Sequence, residues 1–195
     1  MPRISEIELE DLTTDTGDDQ RGKRGDPTWE RIAAHCPQQL IQIDALMRSF
    51  AEHGTMPRRY IEIAVVTVSR LNECRHCVGR HSVRLHDTGL THDIIKRILD
   101  ADCPGLDEKD RLVRDYARQV SENSATMRDV VFDELRTYFD EAQIVELTMR
   151  IGLAGFFNRF NNALQIELDE AHLETFLSQD RRTDSLPNTS ASTLD

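Results

Sequence analysis

The 195-residue chain lacks several things, and each shortage narrows what it can be. It contains no run of 18 apolar residues, so no membrane-spanning helix is predicted. No basic start leads into an apolar stretch at the N-terminus, so no secretory leader is read there and a cytoplasmic setting is the expectation. Positive charge is in the minority, with 24 Lys and Arg against 35 Asp and Glu and a net charge of −11. A phosphate backbone needs a basic face, so nucleic acid is not expected as the main partner. Four cysteines in a reducing compartment are not a disulfide framework; paired at close spacing they point to metal binding or catalysis.

Apolar residues make up only 38% of the chain, and the deficit is concentrated at its ends. The stretch "DLTTDTGDDQRGKRGDP" closes an acidic segment, and "SQDRRTDSLPNTSASTLD" is polar and rich in Ser and Thr. Residues 1–27 are therefore expected to be a disordered N-terminal tail, 178–195 a flexible C-terminal tail, and 28–177 one folded domain, long enough to bury a core.

Within that domain the periodicity is helical. A short helix is predicted from Trp29 to Ala34. A longer one starts at Pro37, with Leu40, Ile43, Leu46, Met47 and Phe50 on one stripe and Gly54 beyond its end. The β-branched run Ile61–Val68 has strand propensity. However, Pro57 suits a helix start and no second convincing strand exists to pair with it, so a buried helix is predicted. Asn72 is the expected N-cap of the next helix, which carries the cysteines to about Asp87 before Gly89 ends it. Thr91 caps a turn bearing Ile94, Ile95, Ile98 and Leu99. Leu112, Val113, Tyr116, Ala117 and Val120 line a further helix, and Thr126 with Asp129 reads as a capping box before "VVFDELRTYF". A long helix from about Glu141 to Ile166 closes an all-α chain.

The chemistry is concentrated in "NECRHCVGRH", residues 72–81. With about 100° of turn per residue, Cys77 lies about 60° from Cys74 and His81 falls between them along the axis, so both thiols and one imidazole share a face. Free N–H groups and the dipole at a helix start favour thiolates. His76 points well away from that face and reads as solvent-facing. A zinc site from Cys74, Cys77, His81 and His86 is the competing reading, but structural zinc draws four ligands from separated elements and these lie on one helix. Cys36 and Cys103, each beside a proline, read as packing residues or ordinary thiols. His35, His53, His86, His92 and His172 join no constellation. A thioredoxin-type CxxC would follow a strand in a βαβ unit, which this chain lacks.

The run "EIAVVTVSRLNECRHCVGRHSVRLHDTGLT" resembles the alkylhydroperoxidase AhpD-like members of the carboxymuconolactone decarboxylase superfamily. Their redox signature is a Glu, a Cys twelve residues on, a second Cys after two more residues and a His after three. Here these fall on Glu62, Cys74, Cys77 and His81, and His76 matches the His that the catalytic subtype carries between its cysteines. The likeness extends less specifically over residues 40–168, where "FDEAQIVELTMRIGLAGFFNRFNNAL" looks like the closing helix. It implies a multi-helix bundle, a hydroperoxide substrate and a homo-oligomer, trimer or hexamer. Cys77 would be the attacking thiol, Cys74 the resolving one, and His81 with Glu62 a proton relay that His76 joins. The reductant would be a dithiol, lipoyl-bearing proteins in similar enzymes, with no cofactor or metal. A lactone decarboxylase using His81 is the alternative within the superfamily, and a zinc-bound or plain interaction module the alternative outside it.

Glu62 has its own rationale. A carboxylate among Ile61, Ile63, Val65 and Val66 is costly unless paired, and burial would raise its pKa; the other reading places it on a polar strip. An internal comparison adds Glu146, similarly set in "QIVELTMRIGL", from which the same counts reach Asn158 and Asn161. Two pseudo-symmetric halves, one without cysteines, are one expectation; two unrelated buried helices with similarly placed acids are the other.

Overall fold

The computed structural model describes residues 2–8 and 27–168. His172, the remainder of both predicted tails and the last residues of the predicted domain lie outside them. The described residues are all-α, without a strand: α1 Pro27–Ala33, α2 Pro37–His53, α3 Arg58–Leu71, α4 Arg75–His86, α5 His92–Lys96, α6 Glu108–Asn123, α7 Asp129–Arg136 and α8 Glu141–Leu164. No helix among them is long and apolar enough to cross a membrane.

The β-branched run forms the centre of the bundle. Nine consecutive residues of α3, from Ile61 to Ser69, are buried, and the helix packs against α4, α6 and α8. A helix covered on all sides can hold β-branched residues at every turn, because packing outweighs their modest propensity penalty. Ile63, Val66 and Val68 from α3 meet Leu85, Ile98, Val113, Leu147 and Ile151 in the main core. A second, smaller cluster joins α1 and the start of α2 to the far end of α8: Trp29, Ile32, Ala34, Leu40 and Ile166, with Phe157 and Phe160 against the indole. Residues 2–8 belong to the segment expected to be a disordered tail, yet they lie on this cluster. The Arg3 and Ile7 amides donate to Leu164 O and Arg31 O, and Ile7 packs into the apolar group.

Two predicted caps differ from the structure. Thr126 and Asp129 form no capping box; Thr126 bonds the Asn123 carbonyl in a 3₁₀ turn, and α7 begins after Arg128 without a side-chain cap. Genuine capping boxes instead start α6 (Asp107 with Asp110) and α8 (Asp140 with Gln143).

Asn72 is not the N-cap of the cysteine helix, because α3 runs up to it and needs its own termination. Glu73 turns left-handed at φ 53°, the Cys74 amide donates back to Ser69 O at 2.9 Å and the Glu73 amide to Arg70 O at 3.2 Å. This is a Schellman turn with glutamate where glycine is usual. Cys74 therefore ends one cap and begins the next, and its sulfur accepts from the Cys77 amide at 3.4 Å as the N-cap of α4. The same turn ends α8, where Gln165 has φ 55° and the Ile166 amide donates to Asn161 O at 2.9 Å.

Candidate active site

Cys74 and Cys77 are paired as a disulfide, with Cα atoms 5.4 Å apart, inside the span that bridging requires. Their surroundings differ. Cys74 is fully buried behind the turn, whereas Cys77 lines a cavity of about 790 Å³ bounded by α1, α2, α3, α4 and α8. Residues of both apolar clusters contribute to its walls, among them Trp29, Phe157, Ile61 and Val65, as does the apolar stripe of α2 through Ile43, Met47 and Phe50.

His81, one turn after Cys77 on α4, lines the same cavity and donates from Nδ1 to Glu62 Oε2 at 2.7 Å. A carboxylate can only accept, so this bond fixes the proton on Nδ1 and leaves Nε2 as the nitrogen able to exchange one. Glu62 is 5% exposed, which answers the polar-strip reading. The expected rise in its pKa is corrected. Burial pushes the carboxyl up, but the charge and hydrogen bond of His81, aided by Arg84 and Arg58, outweigh burial and hold it below the ordinary carboxylate range.

His76 is also corrected: it is 5% exposed, not solvent-facing. An ideal-helix projection omits what the chain does after α8. Residues 165–168 turn back over α4, where Glu167 O accepts from His76 Nδ1 at 3.0 Å. Leu168 lies on Gly79, where a Cβ would overlap it. His76 thereby joins Cys77 and His81 in the cavity wall. Of the five residues singled out, Glu62, His76, Cys77 and His81 face one cavity, and Cys74 stands behind Cys77 in disulfide contact with it. Cys36 is exposed at the start of α2, and Cys103 is buried with its thiol directed at Ile94 O.

Three asparagines of α8 were not identified as site residues. Asn158 accepts from Asn72 Nδ2 at 3.0 Å and donates to Ser69 Oγ at 3.1 Å; Asn162 donates to Asn72 O at 2.8 Å. Asn161 donates to Cys77 Sγ at 3.3 Å. Spaced i, i+3 and i+4, they form one polar face that clamps the turn between α3 and α4. The signal was "NRFNN", three poor helix formers in the last two turns of a long helix. Glu146 is buried too and lines the cavity from α8 opposite Glu62, but it accepts from the Thr55 and Met56 amides at 2.7 and 3.0 Å and so holds the loop before α3. Arg150 stands nearby, 4.5 Å over the Phe50 ring; burial lowers its pKa against the opposing pull of Glu146 and Glu62.

This arrangement of helices recurs in solved structures. A candidate antioxidant-defence protein AhpD of unknown function from Agrobacterium tumefaciens superimposes with a TM-score of 0.64 at 24% identity, over 70% of this chain and 94% of that one. An uncharacterized peroxidase-related protein from Silicibacter sp. TM1040 gives 0.70 at 19% identity, over 80% and 84%. The fold is that of the AhpD-like proteins. It is not tied to one chemistry, since the debrominase Bmp8 shares it with a TM-score of 0.64 at 19% identity, over 78% of this chain and 82% of Bmp8. By sequence, the chain is similar to the uncharacterized protein YnjA of Escherichia coli (strain K12), 28% identical over 100 residues, which are 51% of this chain. The matched stretch spans 55% of YnjA, about half its length. No protein-family model matches the chain.

Proposed function

We propose that this AhpD-like chain is a thiol-dependent hydroperoxide reductase. The observation that carries the reading is the asymmetry of the cysteine pair: Cys77 opens on a cavity shared with the Glu62–His81 pair, while Cys74 waits behind it within bonding reach. In the reduced protein the Cys77 thiolate attacks one peroxide oxygen. The S–O bond forms as the O–O bond breaks, and His81, held by Glu62, passes to the departing alkoxide the proton its Nε2 took from the Cys77 thiol, giving an alcohol. The sulfenic acid left on Cys77 condenses with the Cys74 thiol, releasing water and closing the disulfide. A dithiol, for which the family resemblance suggests a lipoyl-bearing protein, reduces it by exchange and leaves as its own disulfide. The same resemblance suggests a homo-oligomer.

The test is consumption of cumene hydroperoxide by the purified protein with dihydrolipoamide as electron donor. Wild type is expected to turn over, and Cys77→Ser to fall to the uncatalysed rate. Absence of turnover, or turnover of a carboxylated lactone that survives Cys77→Ser, overturns the reading.

A further inference from the structure

We propose that Asn161 is a catalytic residue of the thiol site: its amide N–H holds the Cys77 sulfur as a thiolate, and its Oδ1 receives the O–H of the hydroperoxide. The proposal rests on the peroxidase reading for its second half and on geometry alone for its first.

The side chain of Asn161 is 4% exposed and lines the cavity beside Cys77. Nδ2 donates to Cys77 Sγ at 3.3 Å. The disulfide sulfur present in this structure is a weak acceptor. A thiolate at the same place is a strong one, so the bond tightens when the pair is reduced. Cys74 has a different donor, the Cys77 amide at the start of α4, so each sulfur is served separately. The other end of the amide is the telling part. Oδ1 is buried and has no hydrogen-bond partner among the described residues. Folded proteins seldom leave a buried carbonyl-type oxygen unsatisfied, and where they do a ligand is a standard reason.

A hydroperoxide supplies the missing donor. Its O–H proton meets Oδ1, which sets the hydroxyl-bearing oxygen beside the sulfur that the same amide is holding. Attack by Sγ on that oxygen forms the S–O bond, and the O–O electron pair leaves with the alkoxide. Sulfur loses two electrons, the peroxide gains them, and the proton held by Asn161 stays on the sulfenic acid. One amide thus aligns nucleophile and electrophile, in the manner of proximity catalysis. Asn161 reaches this position because α8 places it one turn beyond Asn158, which is anchored to Ser69 and Asn72.

The experiment uses the full chain, reduced, with Asn161→Leu and Asn161→Asp. The first readout is the pH dependence of Cys77 alkylation by iodoacetamide, followed by peptide mass mapping so that Cys36, Cys74 and Cys103 are counted separately. The expected result is an upward shift of the Cys77 inflection by about one pH unit in Asn161→Leu, as for loss of a hydrogen bond to a charged group. A larger shift is expected in Asn161→Asp, which replaces the donor with a like charge and remains informative if the leucine variant does not fold. A merely structural asparagine would lower the melting temperature and leave the inflection in place, and that outcome overturns the donor role. This readout needs no peroxide and is decided independently of the proposed activity. The second readout is KM for cumene hydroperoxide above both inflections. A rise of about tenfold in Asn161→Leu is expected, and an unchanged KM overturns the acceptor role.

Discussion

At the scale of single residues, Glu62 shows how a partner reverses the effect of burial. Desolvation alone would raise its pKa, but the charge and hydrogen bond of His81 at 2.7 Å outweigh it and hold the carboxyl below the ordinary range. Its folded-state pKa lies below its ordinary value of 4.5, so the stability it contributes is present above that value and is lost as pH falls through the folded-state value. Glu62→Gln is therefore expected to melt lower than wild type at neutral pH, with the two curves converging in acid. Melting temperatures measured from neutral pH into the acid range check this, and parallel curves would contradict it. The grouping of Glu62, Cys74, Cys77 and His81 was legible because their order is local and their spacing strict, and the family resemblance added His76, although its burial was not foreseen. His76 and Asn161 owe their positions to contacts across 91 and 84 residues, which no helix projection carries.

At the scale of elements, the decisive piece is the three-residue turn Asn72–Cys74 between α3 and α4. Its sequence suggested a cap at Asn72, since Asn is a good N-cap in isolation. The structure uses Asn72 to finish α3 and assigns the capping task to a cysteine, because the left-handed residue between them leaves no room for an earlier start. Glutamate is a costly occupant of that left-handed position, by about 1–2 kcal/mol relative to a residue that adopts it freely. Glu73→Gly is accordingly expected to raise the stability by about 1 kcal/mol, or the melting temperature by about 2–4 °C. Denaturant unfolding measures this; a lower midpoint would show that the glutamate side chain makes a compensating contact. The helix α3 itself was readable from Pro57 and by elimination rather than from periodicity, since an apolar run buried on every side has none to betray its type.

At the scale of the whole molecule, two clusters of unequal size share one cavity. The main core holds α3 through nine consecutive buried residues, whereas α2 has Leu40 as its buried residue and turns Ile43, Met47 and Phe50 toward the cavity. Opening free energies follow buried contacts. Amide exchange is thus expected to be faster along α2 than along α3, and Leu40→Ala to speed α2 further while leaving α3 unchanged. Hydrogen-exchange mass spectrometry reads both, and equal protection of the two helices would refute the unequal division. The all-α class and helix order were legible from pattern and caps. The cavity was not, because its walls come from α1, α2, α3, α4 and α8 at once.

The chain contains one tryptophan, and Trp29 sits in the cavity wall, its indole 5.2 Å from the Phe157 ring and 8% exposed. The protein therefore carries its own optical reporter. A molecule that fills the cavity lined by both Cys77 and Trp29 is expected to change the surroundings of the sole indole, and intrinsic emission would read that occupancy without a label and without a chemical step.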